Sequence, residues 1–450
     1  MTLKSSLLFA KTLILPKTEK KSTARKSVIS SIICIALSII PLVIVLTMTN
    51  SMISGMTERI IEVSSSHLNV FIRRKSRVIS SLEKFTEFAD KFYAIDGITD
   101  VKKEISLEAL ASSSNFRTGC QIRAVEFEKF FADKKITSLL KFSEGALDFS
   151  SINEKTALIG SGIAEKLNLK PGDNFRIITT KKNVNGNLIP KVSDFKVQAV
   201  VSSGYNEIDS LWIFIPLESG FSLFSPESAL YSVMLKTEDA FSPELNRILN
   251  DCSSFSYSDA AVYSWKVLNQ SKFENFQSTK IMLYFVMILI VLVASINISA
   301  ALVMLVMERR KEIAILKSLG ASGKSVSFSF VVAGLFCSVA GLFTGLPLGL
   351  LCSVNLNEII SFFEKVLNFV IRFFHKIQGK EVLEEYVHLL DPAFYLTEIP
   401  IEIPFKEILL SSLFMILLSI IVSLIPALKA GKEKPLNIFS NNSGLKILKH

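Results

Sequence analysis

The sequence predicts an α-helical membrane protein with four transmembrane helices and a mixed α+β domain inserted between the first and the second. Three observations predict it. Four hydrophobic runs, Val28–Thr47, Ile281–Val306, Val326–Val354 and Ile408–Leu428, contain no charged residue. Each reaches the roughly 20 residues that cross a hydrocarbon core of about 30 Å at about 1.5 Å per residue. Basic residues gather beside those runs, and the long segment between the first two is of ordinary polarity and large enough to bury its own core. The overall hydrophobic fraction, 49% of 450 residues, fits such a mixed chain. Lipid offers no water to satisfy the backbone, so the runs must be helices.

The elements follow in order. Residues 1–26 form a basic cytoplasmic segment and 27–49 the first span, with Pro41 inside it. A signal peptide is the competing reading of that run. It fails because the run exceeds a typical h-region, the preceding segment is long, and no small-residue cleavage site follows at Thr47-Met48-Thr49-Asn50. Residues 50–279 form the inserted domain and its stalk, 280–306 the second span, and 307–324 a short charged cytoplasmic segment. The third span covers 325–354, where Gly334, Gly341, Gly345 and Gly349 make a small-residue stripe suited to close helix packing. An acidic loop covers 355–407, the fourth span 408–428, and a basic tail 429–450. Lysine and arginine mark the cytoplasmic side, so both termini and the 307–324 segment are expected inside and the inserted domain outside.

Within the inserted domain, Ser161–Leu169 reads as a short amphipathic helix, Lys170-Pro171-Gly172-Asp173 as a turn, and Asn174–Thr180 as a strand. Asn185-Gly186 is a hairpin signal. Phe195–Val201 and Leu211–Pro216 read as strands, Ser81–Tyr93 and Ser242–Leu249 as helices, and Val262–Gln277 as a helical stalk entering the second span. Cys120 and Cys252 lie in this domain, where an oxidising compartment would permit a bridge.

Several function classes are excluded. The net charge of +9 is distributed for membrane topology and does not form a nucleic-acid surface. The four histidines, His67, His375, His388 and His450, stand at no metal-ligand spacing, so no metal site and no catalytic residues are expected. The spans carry no ionisable residue in their centres, which argues against proton or ion coupling. Ser318-Leu319-Gly320-Ala321-Ser322-Gly323-Lys324-Ser325 approaches a phosphate-binding P-loop, but Ser318 replaces the first glycine and a membrane span follows. If ATP is used, another chain must bind it.

The informative stretch is Met307-Glu308-Arg309-Arg310-Lys311-Glu312-Ile313-Ala314-Ile315-Leu316-Lys317-Ser318-Leu319-Gly320-Ala321-Ser322, directly after the second span. Ile313, Leu316 and Leu319 share one helical face with Glu312 nearby, and Gly320 is placed to cap the helix. A stop-transfer charge cluster with an interfacial helix would read this way. So would a docking helix for a cytoplasmic partner. The stretch resembles the signature of FtsX-like ABC-transporter permeases, E-R-R-x-E-I-A-I-L-K-x-L-G-A. In that family it is the coupling helix that meets a separate P-loop ATPase. The resemblance therefore implies an ATPase-coupling role for Glu308, Arg309, Arg310, Glu312, Ile313, Leu316, Leu319, Gly320 and Ala321.

Other stretches extend the resemblance along the chain. Leu7–Lys26 is similar to the family's elbow helix. Met52-Ile53-Ser54-Gly55-Met56 and Ser66-His67-Leu68-Asn69-Val70 are similar to its N-G-F and P-H-L stretches. Gly162-Ile163-Ala164-Glu165-Lys166-Leu167 with Lys170-Pro171-Gly172-Asp173 resembles the L-A-x-x-L-x-x-x-x-G-D element of the MacB-like periplasmic core. Asp391-Pro392, Phe394-Tyr395-Leu396 and Ile399-Pro400-Ile401 resemble the stretch before the fourth span in the lipoprotein-releasing (Lol-type) branch. Pro426-Ala427-Leu428-Lys429-Ala430-Gly431-Lys432 with Pro435-Leu436 resembles the family's ending. One permease type of that branch carries a hairpin hook for a periplasmic lipoprotein carrier. Asn185, Gly186, Ile189 and Pro190 fall where the hook would lie, or form an ordinary surface hairpin.

The resemblance implies a permease subunit in the inner membrane. Its partners would be an ABC ATPase carrying ATP and magnesium, a second permease (the same or paralogous), lipoprotein cargo, a periplasmic carrier and membrane lipid. The chain itself would bind no cofactor. Within the family the alternative is a mechanotransmission permease that drives efflux or regulates a cell-wall hydrolase. Outside it the alternative is a membrane-anchored sensor without an ATPase.

Overall fold

The computed structural model describes residues 23–114, 116–143, 153, 155–182, 188–377, 387–390, 396 and 398–432. These residues divide into two compact units. One lies within 1–51, 277–363 and 401–450, and the other within 52–276 and 364–400.

Helix α1 (Thr23–Arg59) opens the described chain and contains Pro41. Its 37 residues rise about 55 Å, well past the thickness of a bilayer core. The helix widens into a π-helical stretch over Ile60–Ser65, and Ser66 then takes a left-handed φ of 53°. The domain that follows contains β1 (Leu68–Ile72), α2 (Leu82–Asp90), β2 (Ile98–Ser112), β3 (Arg117–Val125), β4 (Lys141–Ser143), β5 (Thr156–Gly160), α3 (Ser161–Leu167), β6 (Asn174–Lys182), β7 (Leu188–Ser202), β8 (Trp212–Pro216), α4 (Leu217–Leu223), β9 (Leu230–Thr237), α5 (Leu245–Ser256) and β10 (Ala260–Ser264). The strands form one sheet in the order β10-β1-β9-β2-β3-β8-β5-β7-β4, and β6 pairs with both β2 and β7. β3/β8 and β5/β7 are parallel and the other pairs antiparallel.

Strand side chains alternate between faces. Leu68, Val70, Val101, Ile105, Ile122, Ile213, Val233 and Leu235 fall on one face and enter the apolar core with Phe85 and Phe88 of α2 and Ile248 and Cys252 of α5. The opposite face presents Asn69, Lys102, Glu104, Arg123, Trp212, Met234 and Lys236, all in elements that alternate with the core residues. Helix α2 starts where the sequence places it, because the Ser81 hydroxyl accepts a hydrogen bond from Lys84 N. Asn168, at φ 49°, ends α3, and Asp173 closes the next turn by accepting from Lys170 N at 2.8 Å. Gly162 has a packing reason: a Cβ there would lie 2.3 Å from Ser210 Oγ.

Two expectations are corrected. Residues 262–264 are not a helical stalk; they end β10, which pairs with β1 from Ala260 to Ser264. At a sheet edge the ladder satisfies backbone groups that a helix start would leave open. A helical turn (Trp265–Leu268) follows directly, and the long helix begins at Gln270. Helix α5 runs from Leu245 to Ser256, later than the Ser242–Leu249 that the sequence suggests. Cys120 and Cys252 are free and buried, and burial pushes each thiol up to about 12.

After the domain come helices α6 (Gln270–Glu308), α7 (Arg310–Ser318), α8 (Gly323–Val354), α9 (Leu356–Ile377) and α10 (Phe405–Lys432). Helices α1, α6, α8 and α10 are long and apolar enough to cross a membrane. In their shared core, Ile35, Ile39, Val43 and Leu46 of α1 meet Val291, Ala294, Ile298, Leu302 and Leu305 of α6 and Phe330 and Ala333 of α8. The predicted glycine stripe of α8 is a packing surface. A Cβ at Gly341 would lie 2.6 Å from Ile35, at Gly345 2.8 Å from Ala36 Cα, and at Gly334 2.9 Å from Ser423 of α10. The 355–407 segment, expected as a loop, contains the 22-residue helix α9.

Candidate functional site

Helix α7 is nine residues long and follows α6 with a break at Arg309, whose φ and ψ are −91° and 12°. Arg309 donates to the Glu312 carboxylate one turn on. The far end closes in a Schellman arrangement: Gly320 N donates to Lys317 O at 3.1 Å and Ala321 N to Leu316 O at 3.0 Å. Gly320 sits at φ 91°, which only glycine takes without strain. Ala321 packs against the bundle core, and Lys317 Nζ donates to Gly431 O of α10 at 2.6 Å.

The apolar ridge read from the sequence is divided in the structure. Ile313 and Ala314 are fully buried in the helix bundle. Leu316 is half-buried. Leu319 is 80% exposed, and Ile315, one turn earlier, is 51% exposed. Ile313 therefore anchors the helix, while the outward face carries Lys311, Glu312, Ile315 and Leu319. Sequence reasoning missed Ile315, although its spacing of four from Leu319 was the available signal. Glu308 and Arg310 are exposed at the junction of α6 and α7.

A second constellation lies on the polar face of the sheet, where the end of the α1 segment is held. Arg123 is 1% exposed. Its Nε donates to Glu104 Oε1 at 3.0 Å, its Nη2 to Glu104 Oε2 at 2.5 Å, and its Nη1 to Val63 O at 2.7 Å. The guanidinium also stacks on Trp212, 4.4 Å from the ring centroid. Arg123 thus fastens the π-helical carbonyls to β3. Lys236 of β9 bridges Glu62 at 2.8 Å and Asp133 at 2.7 Å, and Lys102 of β2 reaches Asp133 at 2.6 Å. Burial alone would raise the Asp133 pKa, but the two lysines outweigh it and hold the carboxyl well below the usual range. Burial likewise works against charged Lys236, yet Asp133 and Glu62 leave its pKa raised. His67 Nδ1 accepts from Thr237 N at 3.1 Å, and Ser66 Oγ donates to Leu235 O at 2.9 Å. These contacts explain why a polar Ser-His pair precedes β1. Nothing in the sequence pattern signals that Arg123, Glu104, Lys236 and Asp133 converge, because they come from four separate segments.

The β6–β7 hairpin is the place of the candidate hook. Asn185 and Gly186 lie outside the described residues. Ile189 pairs with Lys181 and Pro190 with Thr180. Beyond Ile178 strand β6 leaves β2, so Thr179–Lys182 and Leu188–Lys191 form a two-stranded ribbon. Ile189 is exposed on it, and Pro190 fits a strand without a further hydrogen-bonding neighbour.

Comparison with known proteins agrees with this organisation. The MacB-like periplasmic core domain family matches residues 28–246, and the FtsX-like permease C-terminal family matches residues 284–379. The lipoprotein-releasing system transmembrane protein LolC of Neisseria meningitidis serogroup B is 26% identical over 410 residues, covering 90% of this chain and 92% of that protein. The corresponding LolE of Haemophilus influenzae is 26% identical over 353 residues, covering 77% and 78%. An uncharacterized ABC transporter permease of Methanocaldococcus jannaschii is 28% identical over 208 residues, covering 44% and 48%. Both family matches fall in this order on one chain with four span-length helices, which therefore combines a MacB-like periplasmic core with an FtsX-like permease C-terminal region.

Proposed function

We propose that the chain is the permease subunit of an ATP-driven complex that extracts lipoproteins from the inner membrane and passes them to a periplasmic carrier. The similarity to lipoprotein-releasing relatives along nine-tenths of the chain supports the cargo class. The observation that carries the coupling is the divided face of α7. Ile313 and Ala314 lock the helix into the bundle, while Glu312, Ile315 and Leu319 are offered outward. A helix held this way transmits a push on its outer face to the spans and does not yield locally.

In this reading ATP and magnesium sit on a separate ATPase pair, and this chain binds no cofactor and catalyses no reaction. Two permeases, alike or paralogous, face each other. Both termini and α7 lie in the cytoplasm and the inserted domain in the periplasm. Closure of the ATPases moves α7 and with it α6 and α8. Movement of α1 reaches the sheet through the Arg123–Glu104 lock, because Arg123 grips the carbonyls of Val63 and Ser64. The two sheets then displace the lipoprotein, and the β6–β7 ribbon with Ile189 and Pro190 receives the carrier. Withdrawing acyl chains costs about 0.8 kcal/mol per methylene, which makes an ATP-driven step reasonable.

The test is affinity purification of the detergent-solubilised chain from its own cell, with mass spectrometry of what accompanies it. A P-loop ATPase with acylated lipoproteins is expected. An ATPase with an efflux channel or a cell-wall hydrolase would replace the lipoprotein role. Absence of any ATPase would overturn the coupling role of α7.

A further inference from the structure

Helix α9 begins two residues after the last residue of span α8. It is amphipathic. Phe362, Val366, Phe369, Phe373 and Ile377 recur at spacings of three and four, and Ile359, Phe363 and Val370 widen the same arc. In a water-soluble domain such a face turns inward. Here it does not: Phe369 is 71% exposed, Ile377 66% and Phe362 62%. The polar side is the one the protein covers. Asn368 is buried, and its side-chain amide donates to Val387 O at 2.8 Å while its Oδ1 accepts from Val387 N at 2.9 Å. Glu364 accepts from Leu389 N at 2.9 Å on the same side.

We propose that α9 lies in the surface of the lipid leaflet, with its phenylalanine face among the acyl chains and its amide face against the chain that returns toward α10. Three features select lipid as the occupant. The exposed side of α8 at Leu348, Leu351 and Val354, apolar as a lipid-facing span surface is, leads directly into the first turn of α9. The exposed cations Lys365 and Arg372 lie along one edge of the apolar arc, beside Glu358, where they meet phosphate headgroups while their stems lie along the apolar surface. The arc is eight apolar positions long, seven of them exposed, and holds no charged residue, which suits a hydrocarbon surface better than a protein partner with a polar rim. The helix thus adds a lipid contact of its own, independent of the cargo and of ATPase coupling.

The experiment is site-specific photocrosslinking of the full-length chain in nanodiscs of phosphatidylethanolamine and phosphatidylglycerol. The photoreactive p-benzoylphenylalanine replaces Phe369, Phe362 or, on the polar flank, Arg372. It is close in shape to phenylalanine, so the two aromatic positions tolerate it, and either one suffices. Phospholipid adducts, read as a mass increase of the intact chain, are expected at Phe369 and Phe362 at several times the yield found at Arg372. Equal lipid yield at all three positions would overturn the proposal. So would crosslinks from Phe369 or Phe362 to a second copy of the chain or to a copurifying lipoprotein in place of lipid.

Discussion

Arg123 shows what a single residue can hold. It is buried with both ends of its fork on Glu104 and a third donor on the carbonyl of Val63. Removing one partner of such a pair leaves the other charge buried, which costs about 3–5 kcal/mol. Arg123→Ala should therefore lower the thermal midpoint of the full-length chain markedly. Arg123→Lys should rescue little of it, because a lysine cannot serve carboxylate and carbonyl in the same plane. A lysine variant melting like the parent would contradict the lock. Asp133 makes a separate, pH-dependent prediction. Its folded-state pKa lies below the about 3.9 of an exposed aspartate, so its contribution is complete above about pH 4. That contribution is lost as the pH falls from there through the folded-state value. Asp133→Asn should be less stable at neutral pH and should show a flatter loss of stability on acidification. An unchanged acid profile, followed by tryptophan fluorescence, would refute the lysine bridge.

Elements differ in how plainly the sequence announces them. The spans were legible because an uncharged run of that length admits one backbone solution. The glycine stripe of α8 was legible for a similar reason, since only close approach explains Gly341 and Gly345 at spacing four. Gly345→Leu would drive its side chain into the backbone of Ala36, and it should reduce folded yield and thermal midpoint in detergent. Helix α9 went unread because the acidic residues of 355–407 suggested a loop and masked the phenylalanine period. Residues 262–264 were misread because a strand at a sheet edge and the lead-in to a long helix look alike when only a few residues decide. The face of α7 was half legible: the sequence places the amphipathic helix, but which apolar side meets the bundle depends on its approach to α8 and α10. The two sides predict opposite phenotypes. Ile313→Asp should impair folding, because it buries an unpaired charge in the bundle core. Ile315→Asp and Leu319→Asp should fold normally and lose ATPase binding or stimulation by at least about tenfold, the loss expected from about 1.4 kcal/mol or more at an interface centre. Equal behaviour of Ile313→Asp and Leu319→Asp would overturn the assignment of faces.

At the scale of the whole molecule, one helix, α1, both packs on the glycine stripe of α8 and ends in the π-helical stretch that Arg123 holds. Helix α6 links the sheet's edge strand β10 to the junction with α7. The chain thus has two routes from the segment that would meet an ATPase to the sheet that would meet a lipoprotein, one covalent through α6 and one through the packing of α8 on α1. The resemblance to FtsX-like permeases could be read from the α7 stretch and the stretches that extend it along the chain. The mechanical basis could not, because the sheet lock draws on segments far apart in the chain. The most direct measurement is ATP-dependent release of an acylated lipoprotein from proteoliposomes holding the chain, its copurifying ATPase and any paralogous permease, with a soluble carrier outside. Release that requires ATP, persists in the parent chain and is lost in Leu319→Asp without loss of folded protein is the result predicted here. Undiminished release by a well-folded Leu319→Asp chain, or lipoprotein that stays in the membrane while ATP is hydrolysed by the parent complex, would contradict the account.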